Sequence, residues 1–368
     1  MENNALNPNN MAAKLKEARK DYETRFNVPD GYIEVKLSTR GLIGAPETFW
    51  ARNFSPEDLM NLGLSAKEDL PIRLVKILDS LIYNPDPNNI ISVKNFHEKE
   101  VVEFLLLIYE TFYTTIFPEQ KWIPTEEDWE YLKNKYGGEN SDEFRQRKRA
   151  LETGSWKPTF DLDISKDISF WEIPDNFGTK VKVDREYPSG NFSVVFGLPK
   201  FGDFIVLKAF IDKIWEKEDK RFARIGEMLK FKKDAEERAM KGENVDLRSI
   251  PSVPQSEYEA YKEYETQKSL FSVTAAKALY IKEFDGNDVS NLPIENKIDL
   301  AKDPRLDYST FKQVQDIFDK MEFGYKEEIT VWDPIMEKVV TRNYTFQLVD
   351  LLTAIRDTTT SKTTISIV

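Results

Sequence analysis

Cysteine is absent from the 368-residue chain, and histidine occurs only once, as His97. Without cysteine the chain cannot form a disulfide framework, a thiolate zinc site, an iron–sulfur cluster or a cysteine nucleophile. One histidine leaves His97 as the sole candidate base of a Ser-His-Asp triad, and it excludes any metal site that needs two histidines. The chemistry open to the chain is therefore that of carboxylates, hydroxyls, amines and aromatic rings.

Long apolar runs and phosphate-binding loops are also missing. The longest hydrophobic run has six residues, Phe104 to Tyr109, whereas a membrane-spanning helix needs about 20. Neither G-x-x-x-x-G-K-[ST] nor G-x-G-x-x-G occurs, which argues against an ordinary nucleotide-dependent enzyme. The first residues, MENNALNPNN, do not place an apolar stretch after a basic one, so we expect no secretory signal. These absences predict a soluble, intracellular protein without a membrane partner.

Acidic residues outnumber basic residues by 64 to 52, which gives a net charge of −12. A surface of that sign repels phosphate backbones, so we do not expect nucleic acid as the main partner. Hydrophobic residues make up 40% of the chain and aromatic residues 12%, which is enough apolar material for real cores. The length predicts two or three structural units.

Alternating and helical hydrophobic patterns predict an α+β fold with two related modules, each built from short antiparallel strands packed with helices. The predicted bounds are 1–30 for an N-terminal arm, 31–117 for the first module, 118–187 for a tryptophan-rich linker region, 188–356 for the second module and 357–368 for a mobile tail. A long helical hairpin, about 205–284, enlarges the second module. Within it we expect a strand at Phe204–Phe210 and a second helix from Ser256 to Phe284.

An internal repeat supports the prediction of two modules. Each half has a strand, a turn with glycine, a second strand and then helices, two of which are apolar. A shift of 210 residues aligns Phe104 with Val314 and Ile108 with Phe318 at helical spacing. The alternative is that any two buried helices align equally well.

One segment, Asp161 to Glu172, has the spacing of a calcium site. Its sequence DLDISKDISFWE places oxygen-bearing side chains at the ligand positions of a twelve-residue calcium loop. However, Lys166 stands where that loop needs glycine, and Pro158 argues against an entering helix. The competing interpretation is a strand with Phe160 and Leu162 on one face. We predict no metal site and keep a calcium-responsive adaptor as an alternative function.

His97 and two carboxylate clusters are the candidates for catalysis. His97 could act as a general base with Glu98 or Glu100, or it could hydrogen-bond backbone at the start of an apolar helix, which the lack of a partner motif favours. Clusters at 126–128 and 216–219 could supply the acid and base of a hydrolase, but 64 acidic residues produce such clusters by chance. We predict no catalytic residue and no cofactor, and a carboxylate-based hydrolase is the alternative.

The helical hairpin is the main candidate for an interface. Its first helix carries an apolar stripe among charged residues, a pattern typical of helix pairing and protein–protein contact. The alternative is that the two helices only cover each other. The chain end, TTISIV, could add to a partner as an edge strand, or it could be a disordered terminus. The predicted interface residues are Trp215, Phe222, Met228, Ile365, Ile367 and Val368.

Several segments resemble the baseplate hub assembly proteins of contractile-tailed bacteriophages of the T-even type. The resemblance covers about 31–117 and 190–352. It is carried by FWARNFSPEDLMNL, KILDSLI, FHEKEVVEFLLLIYETFY, VVFGLPKFGDFIVLKAFIDKIWEKEDKRFARI, FDGNDV and DIFDKMEFG. Members of that family often have cysteine pairs after the second apolar helix. This chain has the hairpin EEITVWDPIMEKVV there, so no metal role is carried over.

The resemblance implies a non-enzymatic protein made in the cytoplasm of an infected bacterium. It would be a structural subunit of the tail baseplate or an assembly chaperone of the baseplate hub. Its partners would be phage tail or baseplate proteins, such as the tape measure protein, within a larger assembly. No catalytic residue is implied.

Overall fold

Helices and short antiparallel strands alternate along the chain, which confirms the α+β fold predicted from the sequence. The computed structural model describes residues 28–63, 70–86, 88–175, 177–187, 190–240 and 252–361. Most of the predicted N-terminal arm lies outside these residues. The statements that follow concern the described part of the chain.

The helices are α1 (Pro56–Gly63), α2 (Leu70–Leu81), α3 (Glu98–Phe112), α4 (Glu126–Lys135), α5 (Asp142–Glu152), α6 (Ile164–Asp167), α7 (Phe201–Met240), α8 (Gln255–Ala278), α9 (Ile294–Ala301), α10 (Tyr308–Asp319) and α11 (Leu348–Ser361). The strands are β1 (Tyr32–Val35), β2 (Phe49–Arg52), β3 (Ile116–Lys121), β4 (Thr159–Asp163), β5 (Lys180–Tyr187), β6 (Gly190–Gly197), β7 (Ile281–Phe284), β8 (Asn287–Asp288), β9 (Glu328–Asp333) and β10 (Lys338–Asn343). A 3₁₀ turn, Val93–Asn95, precedes α3.

The described strands form four antiparallel sheets. Three sheets are two-stranded pairs, β1–β2, β3–β4 and β9–β10, and the fourth has the order β5-β6-β7-β8. On β6, Val194 lies opposite Val183 of β5 and Phe284 of β7. Because alternate residues of β6 are buried, this sheet forms one wall of a core.

Two parts of the chain follow the same path. In the first, the β1–β2 hairpin leads into α1 and α2, and Ile82 then returns to bridge Ala51 of β2. In the second, the β5–β6 hairpin leads into α7 and α8, and β7 then returns to pair with β6. Helices α3 and α10 follow, with N-caps at His97 and Asp307. The two N-caps are 210 residues apart, which is the offset of the predicted repeat and supports it.

The larger hydrophobic core surrounds α3, whose Phe104 is fully buried. Residues 117–168 contribute to this core, for example through Trp122 after β3, and so do residues 325–355, for example through Leu351 of α11. The predicted linker region therefore packs on the first module. The last part of the predicted second module packs on the larger core as well. The larger core therefore contains residues from both sides of the predicted domain boundaries.

The smaller core lies between the four-stranded sheet, α9, α10 and the adjoining ends of α7 and α8. Phe196 of β6 is fully buried, and its ring centroid lies 5.6 Å from that of Phe311 on α10. Ala275 and Ala278 of α8 are also fully buried. Their small side chains allow α8 to pack closely at this end of the hairpin.

Two predicted boundaries in the hairpin are wrong. Residues 204–210 are helical, not a strand, because α7 begins at Phe201. The Lys200 N–H donates to the Asp203 carboxylate over 3.0 Å, which is half of a capping box and fixes this helix start. Helix α8 ends at Ala278 and not at the predicted position, since the following residues form β7 and extend the sheet.

Candidate interaction site

A groove of about 920 Å³ lies between β3, the end of β10 and α11. Its apolar lining residues include Phe117, Phe160, Ile329, Val331 and Ala354. Its charged lining residues are Glu119, Lys121, Arg342 and Asp350. A groove of this size, apolar with a few polar groups, is suited to an extended peptide or to side chains of a protein partner.

An irregularity in β3 shapes one wall of the groove. Glu119 has a left-handed backbone (φ 54°), and its N–H donates to the Asp161 carboxylate over 2.9 Å. The β3–β4 register shifts between Phe117 and Gln120, as in a β-bulge. Gln120 then accepts a hydrogen bond of 2.7 Å from the hydroxyl of Tyr344. Two chain segments distant in sequence are thereby tied together at the groove.

Arg342 connects the groove to a buried ion cluster. Its guanidinium lies 3.7 Å from the ring centroid of Trp122 and pairs with Asp128 and Asp333 at 2.5 and 3.3 Å. Both carboxylate side chains are fully buried. A buried carboxylate needs a compensating charge and hydrogen bonds, so Arg342 holds α4 against the β9–β10 hairpin.

The pKa values of the two aspartates in this cluster are shifted in opposite directions. Burial opposes the ionisation of Asp128, but hydrogen bonds from Arg342 and the Thr125 N–H outweigh it and hold the pKa of Asp128 below its usual range. Burial and the neighbouring Asp128 carboxylate raise the pKa of Asp333. Asp333 is therefore protonated more readily than Asp128 is.

Large hydrophobic side chains are exposed in and near the groove. Ile123 lines the groove and is 73% exposed. Trp332 and Val339 lie opposite each other on the outer face of β9–β10 and are 55% and 63% exposed. Tryptophan is enriched at protein–protein interfaces. We call the groove with Ile123, Trp332 and Val339 the C-terminal surface.

Of the three predicted interface residues of α7, Trp215 and Phe222 contact the other helix of the hairpin. The Trp215 ring lies 5.7 Å from Tyr264 and 6.2 Å from Phe271, centroid to centroid. Phe222 stacks on Tyr264 at 4.9 Å and is 6% exposed, and Met228 is half-buried. These contacts agree with the alternative that the helices cover each other. A role for these residues in binding a partner stays a prediction.

The hairpin extends past both cores. Helix α7 has 40 residues, which at 1.5 Å per residue is about 60 Å of length. Near its start, Phe201 belongs to the larger core and Leu207 to the smaller one. Phe222 and Ala235, which are also buried, belong to neither core. We call the part of the hairpin beyond 212 in α7 and before 271 in α8 the distal hairpin.

A polar cluster fixes the register of the distal hairpin. Lys268 pairs with Asp219 at 2.5 Å, and the hydroxyl of Tyr264 donates to the same carboxylate. Burial opposes the ionisation of Asp219, but these two partners outweigh it and hold its pKa below the usual range. On the outer side, Phe231 is 59% and Leu270 65% exposed. Sequence periodicity did not single out these two side chains.

The remaining predicted interface residues cannot be placed. Ile365, Ile367 and Val368 lie outside the described residues. Helix α11 continues to Ser361, so the first five residues of the predicted tail are helical.

The segment with calcium-like spacing is a strand followed by one helical turn, β4 and α6. Asp161 accepts from the Glu119 N–H, and Asp163 caps α6 by accepting from Ser165 and Lys166. Asp167 accepts from the Asp163 N–H. Among the described residues there is no group of three or more His, Asp or Glu side chains that could hold a metal ion. The calcium alternative therefore gains no support from the fold.

His97 lies at the helix start, as the capping interpretation predicts. Its Nδ1 accepts a hydrogen bond of 3.2 Å from the Lys99 N–H, and its own N–H donates to Glu100 in a capping box. Burial, with a smaller effect of Lys99, lowers the pKa of His97 to about 4. The ring is therefore neutral near pH 7, and it caps the start of α3.

The carboxylate clusters do not come together in the groove. Asp128 is buried behind Arg342, and Asp219 is used within the distal hairpin. A further buried pair, Glu100 and Glu103 on α3, holds the loop before β2 through Thr39 and Ser38. The carboxyl groups that line the groove are those of Glu119 and Asp350, and neither belongs to the predicted clusters. The hydrolase alternative therefore gains no support.

None of the described helices combines the length and the apolar character needed to cross a membrane. Comparisons of the chain with family models, with curated proteins and with solved structures found no match. The likeness to phage baseplate proteins therefore rests on the sequence segments quoted above.

Proposed function

We propose that the chain is a non-enzymatic component of a contractile phage tail, either a structural subunit or an assembly chaperone of the baseplate hub. It would be made in the cytoplasm of the infected bacterium and would act through contacts with other tail proteins. The observation that carries the proposal is the distal hairpin, which extends past both cores and adds no residue to them.

The distal hairpin is an ordered element whose outer side remains open to a partner. Ordering its residues costs conformational entropy, which its interhelical aromatic and ionic contacts offset. Its outer side exposes Phe231 and Leu270 among charged residues. A paired helix surface of this kind fits a partner helix or the wall of a tail component.

The C-terminal surface offers a second contact region on a different part of the molecule. Exposed Trp332 and Ile123 provide aromatic and aliphatic anchors, and the groove between them and α11 can take a chain segment. A protein with two separate contact surfaces can join two components. This property suits both a structural subunit and a chaperone.

Quantitative mass spectrometry of purified phage particles beside the infected lysate tests the proposal. A fixed stoichiometry in particles would identify a structural subunit. Abundance in the lysate together with absence from particles would identify an assembly chaperone. Absence from particles, with no tail protein recovered on affinity purification from the lysate, would refute the proposal.

A further inference from the structure

A second, smaller cavity of about 140 Å³ lies at the junction of the two cores. From the first module it is lined by Gly44 and His97, and from the second by β5, by the turn after β6 and by β7. The junction is tight, since the Phe201 N–H donates to the Phe96 carbonyl over 2.7 Å. The cavity is therefore enclosed by residues of both modules.

Three lysines from three different elements line this cavity. They are Lys180 of β5, Lys200 of the turn before α7 and Lys282 of β7. None of the twelve lining residues is Asp or Glu, although the chain as a whole carries a charge of −12. The lining therefore concentrates positive charge where the overall composition would not place it.

The neighbouring carboxylates only partly compensate these lysines. The Lys180 and Lys282 ammonium groups each lie 3.6 Å from one carboxylate oxygen, of Glu283 and Asp203 respectively. Burial, with a repulsive contribution from neighbouring Lys297, holds the pKa of Lys282 below its usual range in spite of Asp203. Lys282 also donates to the Leu279 carbonyl over 3.0 Å. An ammonium group has three N–H donors, so each lysine has at least one donor left for an anion.

One neutral donor also lines the cavity. It is not the hydroxyl of Ser290, which already donates to the Lys282 carbonyl over 3.3 Å. Because Nδ1 of His97 accepts from the Lys99 N–H, the neutral ring carries its proton on Nε2 and has a donor left on that atom. Ammonium groups together with an imidazole N–H form a donor set suited to a tetrahedral oxyanion.

We propose that this junction cavity binds a phosphate-sized oxyanion through Lys180, Lys200 and Lys282. The bound anion bridges elements of both modules and stabilises their junction. Its source is either inorganic phosphate or the phosphate group of a small phosphomonoester, since both present the same oxygens. This site is separate from the surfaces of the proposed function, and its test does not depend on them.

The single histidine makes the test direct. In full-length protein labelled with histidine that carries ¹³C at Cε1 only, the imidazole of His97 gives one Cε1 resonance. We titrate inorganic phosphate at constant ionic strength, adjusted with sodium chloride, near pH 7. We expect a saturable shift of the His97 resonance with a dissociation constant of about 1 mM or lower. A parallel titration with glycerol phosphate distinguishes the free ion from a phosphomonoester.

Matched lysine variants locate the site. Lys180→Met and Lys200→Met keep the apolar stem and remove the charge, and we expect each to weaken binding about tenfold, as loss of one charge-assisted hydrogen bond does. Lys208→Met is the control, because Lys208 is exposed on α7 and pairs with Asp212. A shift that is linear in phosphate, one that chloride reproduces, or one that survives in both cavity variants would overturn the proposal.

Discussion

The two modules contain equivalent helix pairs of very different length. In the first, α1 and α2 have 8 and 12 residues, and in the second, α7 and α8 have 40 and 24. Both pairs follow a β-hairpin, and after both the chain returns to the second strand of that hairpin. The short pair shows how much helix this topology needs. The rest of the long pair is an extension that the cores do not require, so its role lies outside them.

The equivalent helices α3 and α10 differ in a second way. Helix α3 carries buried Glu100 and Glu103, and the 210-residue shift places Thr310 and Gln313 at these positions in α10. Glu100 accepts hydrogen bonds from Thr39 and from the Ala45 N–H. Buried carboxylates of α3 thus hold a loop of the first module. Helix α10 has no buried carboxylate. Four predictions test these two differences.

The largest effect is expected at the centre of the first core. Phe104 is fully buried, and its ring centroid lies 5.4 Å from that of Phe49. Phe104→Ala should lower the free energy of unfolding by about 4 kcal/mol through loss of burial and the cavity left behind. Val314→Ala at the equivalent position of α10 should cost about 2 kcal/mol, because fewer carbons are removed. Urea unfolding followed by tryptophan fluorescence measures both.

Leu107→Ala and Ile317→Ala are matched controls at equivalent positions nearer the surface. Leu107 is partly buried and Ile317 is 45% exposed, so each should cost about 1 kcal/mol or less. A cost for Phe104→Ala no larger than that of Leu107→Ala would show that α3 is not the centre of the first core.

The second prediction concerns Glu103, a buried carboxylate of α3 that has no equivalent on α10. Burial, with a smaller effect of Glu100, raises the pKa of Glu103 to about 7 from a usual value of 4.5. The folded state therefore binds this proton more tightly than the unfolded state does. The resulting stability is fully present below about pH 4.5 and is lost as the pH rises through about 7.

Glu103→Gln cannot ionise, so it should remove this loss. Near pH 8.5 the variant should exceed the wild type by about 3 kcal/mol in free energy of unfolding, and near pH 4.5 the two should be similar. Urea unfolding across this range measures the difference. Gln313→Glu is the matched control, because the exposed equivalent position should show no such pH dependence. Parallel pH profiles for wild type and Glu103→Gln would contradict the assignment.

Hydrophobic spacing and capping residues predicted those helices whose ends and buried faces are set by neighbouring residues in the sequence. The apolar face of α3 and the cap at His97 follow from helical spacing and position in the sequence. The strand predicted at 204–210 failed because Phe, Ile and Val suit a buried strand as well as a helix face. The decisive signal was Asp203, three residues after Lys200, which caps the helix start.

Sequence-distant contacts could not be predicted from spacing. Arg342 and Asp128 are 214 residues apart, and no single-sequence pattern links them. For the same reason the groove and the packing of residues 117–168 on the first core were missed, since both depend on pairing across long loops. The exposure of Phe231 was missed because it depends on how α7 is rotated against α8.

The third prediction separates the distal hairpin from the cores. Phe222→Ala removes the ring that stacks on Tyr264, and it should weaken local stability by about 2 kcal/mol. The free energy of global unfolding should change little, because Phe222 belongs to neither core. Amide hydrogen exchange should therefore speed up in residues 212–240 and 255–270 but not in α3. Faster exchange that reaches α3 would show that the hairpin and the first core unfold together.

The smallest effect on stability is expected for the exposed outer side of the distal hairpin. Phe231 is 59% exposed, so Phe231→Ser should change the free energy of unfolding by no more than about 0.5 kcal/mol. If the hairpin serves a partner, the same variant should recover less tail protein from an infected lysate than the wild type does. Lys232→Ser, at the neighbouring exposed position, is the matched control and should recover as much as the wild type. A loss of stability above about 1 kcal/mol would mean that Phe231 packs within the chain, and the extension would then belong to the fold and not to a partner.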